Sequence, residues 1–175
     1  MSPICSQRGA AMMEVLITML IIAFGALGFV GLQAKTALSQ IEGYQRSQAL
    51  MLLNDISSRI SLNRTNAASY ISISISIDNP ANCITPTTRA DTDLCEWSLL
   101  LQGAAELQGT TKLGAMTRAR GCITSPAANQ YLISIAWQGV QATAAPSSTC
   151  GQNAYSNENM RRAVTTVVQV ATLAS

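Results

Sequence analysis

Residues 10–32 read AAMMEVLITMLIIAFGALGFVGL, and this stretch decides the architecture of the chain. Its 23 residues contain no proline and a single charge, Glu14. As a helix they reach about 35 Å, enough for the hydrocarbon core of a bilayer. An acid inside such a segment costs about 3 kcal/mol at mid-span and less toward an end. Glu14 therefore calls for a cationic partner.

Upstream lies MSPICSQRG, which holds Arg8 and ends in Gly9. A secretory signal has a shorter apolar run and a small-x-small site after it. Here the small residue precedes the run. Proteolysis between Gly9 and Ala10 would leave the helix attached and create a free amine at Ala10, four residues before Glu14, supplying the missing cation.

Basic leader, glycine, cut position, four residues, glutamate and a spanning-length apolar helix follow one another as QRG, AAMM and EVLITMLIIAFGALGFVGLQA. In this order they resemble type IV pilins and the related pseudopilins of type II secretion. The resemblance covers Gln7 to about Ala34. The chain has Ala10 where many members carry phenylalanine, and Gly31 where many major pilins carry proline. The resemblance implies that a prepilin peptidase cleaves after Gly9 and methylates the amine of Ala10. It also implies that Glu14 pairs with the terminal amine of a neighbouring subunit during assembly.

Working outward, QAKTALSQIEGYQRSQALMLLNDISSRISL continues the helix without proline. Leu38, Ile41, Ala49, Leu52, Ile56 and Ile60 recur at helical spacing, with Lys35, Glu42, Arg46 and Asp55 as the polar side. One helix is expected from Ala10 to about Leu62, near 80 Å if unbroken. Gly43 costs it only about 1 kcal/mol against alanine. Gly25, Gly28 and Gly31 permit either close helix approach or local melting. The expected segments are a leader at 1–9, an apolar half-helix at 10–34, an amphipathic half at 35–62 and a soluble domain at 63–175. For 175 residues and 18.5 kDa that is a spanning helix and one small domain.

The soluble domain is expected to be an antiparallel sheet packed on the apolar side of the long helix, giving an α+β fold. YISISISID places Ile71, Ile73, Ile75 and Ile77 on one face of a strand, with an ordered loop laid on the domain as the alternative. Asp93 and Glu96 offer a D-x-x-E start to a helix from Leu94 to about Leu107, with Trp97, Leu100 and Leu101 inward. Further strands are expected at Arg118 to Thr124, Tyr131 to Gln138 and Arg162 to Leu173. QATAAPSSTCGQNAYSNENM, too long for a tight turn, is a surface loop. Asn63, Arg64 and Thr65 form a bare glycosylation tripeptide of little weight.

Of five cysteines, Cys5 leaves with the leader, so Cys83, Cys95, Cys122 and Cys150 remain. Their spacing matches no zinc pattern and the chain has no histidine, so two disulfides in an oxidising compartment are expected and metal is not. Four cysteines allow three pairings. Loop-closure entropy favours neighbours, Cys83 with Cys95 and Cys122 with Cys150.

The net charge of +2, falling to +1 without Arg8, gives no reason to expect nucleic acid. No histidine, nucleophile elbow or metal cluster suggests catalysis, and no cofactor is expected. Arg161 and Arg162 suit the solvated start of a strand. Arg8 against Lys35 weakly places the start of the chain in the cytoplasm. GCITSPAANQYLISIAWQG and NMRRAVTTVV resemble, more softly, minor pilins of the pilus-modification (PilV) type. That resemblance implies an inner-membrane single-pass precursor with a periplasmic domain that passes into the pilus, priming assembly or sitting at its tip. The implied partners are other minor pilins, the major pilin, the prepilin peptidase, the inner-membrane assembly platform and, among candidates, a tip adhesin. A minor pseudopilin of type II secretion is the alternative.

Overall fold

A computed structural model describes residues 8–104, 106–109, 111, 112, 114 and 116–171. Residues 1–7 of the expected leader and the expected end of the last strand near Leu173 lie outside them. The chain divides into two compact units, residues 1–41 and 42–175. Helix α1, Arg8–Leu62, runs through the boundary and is continuous at Gly43, as expected of a cost that neighbouring helical hydrogen bonds outweigh. Its described part reaches back to Arg8.

In the second unit α1 buries Gln45, Ala49, Leu52, Leu53, Ile56 and Ile60. One expectation for its faces is corrected. Glu42, assigned to the polar side, instead accepts hydrogen bonds from the backbone N–H groups of Val140 (2.8 Å) and Gln141 (3.3 Å) and pairs with Arg162 at 3.2 Å. Position on a helical wheel gives direction, and the strand end that arrives there decides what the side chain meets.

After α1 come a 3-10 stretch, Arg64–Tyr70, strand β1, Ser72–Ser76, and helix α2, Arg89–Leu101. A small hairpin, β2 Leu107–Gln108 and β3 Thr111–Lys112, turns at Gly109 with φ 63°. The chain then forms β4 Arg120–Ala127, β5 Gln130–Gln138 and β6 Arg161–Gln169. The main sheet is antiparallel in the order β1-β4-β5-β6.

Helix α2 starts earlier than expected because Thr88, not Asp93, caps it. Thr88 Oγ1 accepts from the Asp91 N–H at 3.1 Å, and Asp91 accepts from the Thr88 N–H at 2.9 Å, a reciprocal capping box. It ends by Gly103, whose φ of 83° suits a glycine that stops a helix. Trp97, Leu101 and the partly buried Leu100 do pack into the core. Trp97 Nε1 donates to the Leu52 carbonyl at 2.9 Å, a second bond to an oxygen already inside a helix.

β1 departs most from its sequence pattern. A register shift between Ser72 and Ile75 interrupts the alternation, so Ile75 is buried while Ile73 is 83% and Ile77 67% exposed. A bulge turns part of a strand over. In β5, by contrast, Tyr131, Ile133, Ile135 and Trp137 all face the core. β6 likewise turns Val164 and Val168 toward it.

The disulfides join Cys83 to Cys95 and Cys122 to Cys150, the neighbour pairing. Loops of these lengths stabilise by about 3 to 4 kcal/mol each in the chain-entropy account. Cys122 and Cys150 cover the outer face of the sheet over Ala136, which explains why β5 is buried on both faces.

Gly121 lies against Trp97. A Cβ built there would sit 2.2 Å from Cη2 and 2.6 Å from Cζ3 of a ring that is itself fully buried. Gly121→Ala is expected to destabilise the domain by about 3 kcal/mol, read as a lowered unfolding midpoint. An unchanged midpoint would mean β4 does not ride on that ring.

Candidate functional site

In the first unit every large apolar side chain from Met12 to Leu32 that the structure describes is at least half exposed, on all sides of the helix. The helix is long and apolar enough to cross a membrane, with a mean hydropathy of 2.6 over its most apolar window. Its backbone groups are satisfied by the helix itself, which is what a dry environment demands. Two polar side chains remain in this stretch. Thr18 Oγ1 donates to the Val15 carbonyl at 2.9 Å and so leaves no unmet donor. Glu14 is exposed and, among the described residues, has no ion-pair partner.

Ala10 and Glu14 stand one turn apart, about 6 Å of rise. Gly9 and Ala10 both lie within α1. A Cβ at Gly25, Gly28 or Gly31 would meet no atom within 4 Å. These positions leave shallow notches on the helix surface.

The second unit shows what its other charged residues do. Among the described residues no group of three His, Cys, Asp or Glu side chains converges as for a metal. Arg161, expected at a solvated strand start, is 3% exposed. It pairs with Glu158 at 2.6 Å and donates to the carbonyls of Pro146, Ser148 and Cys150. Arg162 pairs with Glu42 and donates to the Gln141 carbonyl at 2.6 Å. Both arginines pin the long loop, because loop carbonyls with no ladder partner need donors. The Arg161 hydrogen bond holds the Glu158 carboxyl below its ordinary range.

Sequence reasoning missed the cluster around Asp93, which is 1% exposed. Asp93 accepts from the Tyr70 hydroxyl, from Arg59 Nη1 at 3.1 Å and from Arg89, whose Nη2 lies at 3.0 Å. Arg59 also pairs with Asp55 and Glu96. Burial pulls the Arg59 guanidinium down, but the hydrogen bonds to Glu96, Asp55 and Asp93 outweigh it and hold it above its ordinary value. The available signal was the i,i+4 spacing of Arg89 and Asp93 on a helix that starts at Thr88.

Compared with known proteins, the chain matches no family model, no curated protein and no solved structure.

Two phenols give the fold a pH signature. Burial pushes Tyr70 up to about 12, helped by its hydrogen bond to Asp93. Burial raises Tyr155 to about 12 as well, against the pull of Arg120, Arg161 and Arg118. In the unfolded chain both protons leave near pH 10. Between pH 10 and 12 the folded state thus holds more protons, and stability falls by about 1.4 kcal/mol per pH unit for each phenol. Unfolding midpoints are expected to be insensitive to these groups below pH 9 and to drop steeply above 10. Tyr155→Phe should halve that slope, and an unchanged slope would remove Tyr155 from the account.

Proposed function

We propose that the chain is a structural subunit of a type IV pilus, a minor pilin that is cut after Gly9, methylated on Ala10 and inserted into a filament through its apolar helix. The observation that carries this is Glu14. It is one carboxylate without a partner among the described residues, in a helix whose other polar side chain in the apolar stretch is satisfied, placed one turn after a glycine at which proteolysis would make an amine. Before assembly the helix rests in the inner membrane with the disulfide-stapled domain in the periplasm, an oxidising compartment that suits its two bridges. Extraction into a filament replaces lipid by fellow helices. Fully apolar sides allow that exchange at little cost, and the notches at Gly25, Gly28 and Gly31 admit close neighbours. Glu14 then meets the terminal amine of an adjacent subunit, and the sheet domain selects other minor pilins and the major pilin.

Mass spectrometry of the mature protein tests the reading. The expected amino terminus is N-methylated Ala10. A membrane form that keeps residues 1–9 would overturn it.

A further inference from the structure

The outer face of the main sheet holds a cavity of about 520 Å³. Small-molecule sites run from about 300 to 1,000 Å³. Cys122, Ser134 and Thr165, which stand opposite one another on β4, β5 and β6, form its floor with Thr124 and Leu132 beside them. Ile73 of β1, 83% exposed, adds an apolar margin. The rim is the loop from Ser147 to Cys150. That rim is fixed in place twice over. The disulfide ties Cys150 to the floor at Cys122, and Arg161, itself 3% exposed, donates to the carbonyls of Pro146, Ser148 and Cys150. A ligand entering the cavity would not have to order its walls.

Ser134 is the observation that points to a ligand. It is 4% exposed, yet its hydroxyl makes no hydrogen bond among the described residues, not even to Thr165 across the ladder. A hydroxyl buried without a partner is costly, and this one lines the cavity. Thr124, Ser147, Thr149 and Thr165 bring further hydroxyls to the same space, none of them engaged by a described residue.

We propose that this cavity binds a neutral pyranose ring, one sugar unit of a glycan. Among the described residues that line it none is charged, which disfavours an anion or a cation. Each free hydroxyl both donates and accepts, and so matches the hydroxyls of a sugar, which do the same. Ile73, Leu132 and the disulfide offer the apolar surface on which the C–H face of the ring can rest. A hydrocarbon chain would leave Ser134 unpaired. An extended peptide is held by free strand edges, and β4 and β5 under the cavity have both edges paired. No aromatic ring lines the site among the described residues, so affinity for a single sugar is in the millimolar range. The site needs only the soluble domain and does not depend on the filament reading.

The test is NMR titration of the full chain with its disulfides intact, in micelles of a detergent without a sugar headgroup. The probes are methyl β-galactopyranoside, methyl α-glucopyranoside and methyl N-acetyl-β-glucosaminide. At least one is expected to bind and to shift the backbone amides of Ser134 and Thr165. Ser134→Ala removes the buried hydroxyl without adding bulk and should weaken that binding about tenfold. Ser134→Leu fills the cavity and should abolish it. If the leucine variant does not fold, Thr165→Val, at an exposed position of β6, takes its place and should weaken binding severalfold. No binding by any of these glycosides, affinity indifferent to the Ser134 variants, or tighter binding of N-acetylneuraminic acid or of a tetraserine peptide would each overturn the assignment. Loss of sugar binding with a normally methylated Ala10 would leave the filament reading untouched.

Discussion

Under the proposed filament role, replacing Glu14 with alanine is expected to keep the chain in the membrane and lower its share in surface filaments at least tenfold. The two readouts separate because the carboxylate acts oppositely on them. In lipid an acid near the end of a span is a cost, part of the roughly 3 kcal/mol it would carry at the centre. Alanine removes that cost, so insertion should be as good or better. In the proposed bundle of helices the same acid would meet a terminal amine in a medium of low dielectric, where opposite charges attract far more strongly than in water. A tenfold loss corresponds to about 1.4 kcal/mol, a modest share of such a contact. Glu14→Gln keeps the shape without the charge and should fail similarly, while Glu14→Asp should recover part of the incorporation. Immunoblots of sheared filaments and of the membrane fraction read both quantities. Wild-type incorporation of the alanine variant would defeat the electrostatic role.

Asp93→Ala is expected to be the most damaging polar substitution in the soluble domain, costing roughly 3 to 5 kcal/mol. Asp93 sits 1% exposed between α1, α2 and the 3-10 stretch, and it receives Tyr70, Arg59 and Arg89 together. Truncation strands the buried Tyr70 hydroxyl and part of the Arg59 guanidinium without an acceptor, and that desolvation is not repaid. Arg59 retains Asp55 and Glu96, which keeps the loss below that of a lone buried charge. Two controls frame it. Asp93→Asn retains an acceptor for Tyr70 and should cost about half as much. Arg89→Ala removes a partner that is 69% exposed, and pairs of that kind contribute under about 1 kcal/mol. Denaturant unfolding of the disulfide-bonded protein measures all three. Equal losses for Arg89→Ala and Asp93→Ala would show that the cluster is a surface network and not a buried clamp.

Much of this molecule is legible in its amino acids alone: the helix through Leu62, the α+β order, the strand at Tyr131 to Gln138 and the membrane-length apolar run with its lone acid. All are properties of near neighbours in the chain. Hydropathy and period are set by residues within a few positions of each other, and a glycine at 43 weighs too little against a helix of 55 residues to break it. The neighbour pairing of the cysteines follows similarly from loop length. Other features waited for the tertiary structure because they depend on partners dozens of residues away. The alternating isoleucines of β1 set out one face, but the bulge opposite β4 leaves Ile73 in solvent. Glu42, Arg161 and Arg162 read as surface charges, and Asp93 as a helix start, until Val140, Tyr70 and the loop carbonyls from Pro146 to Cys150 are brought to them. Local sequence sets a residue's period and its cost of burial. Only the assembled fold supplies the counter-charge or carbonyl that makes the burial of a charge affordable.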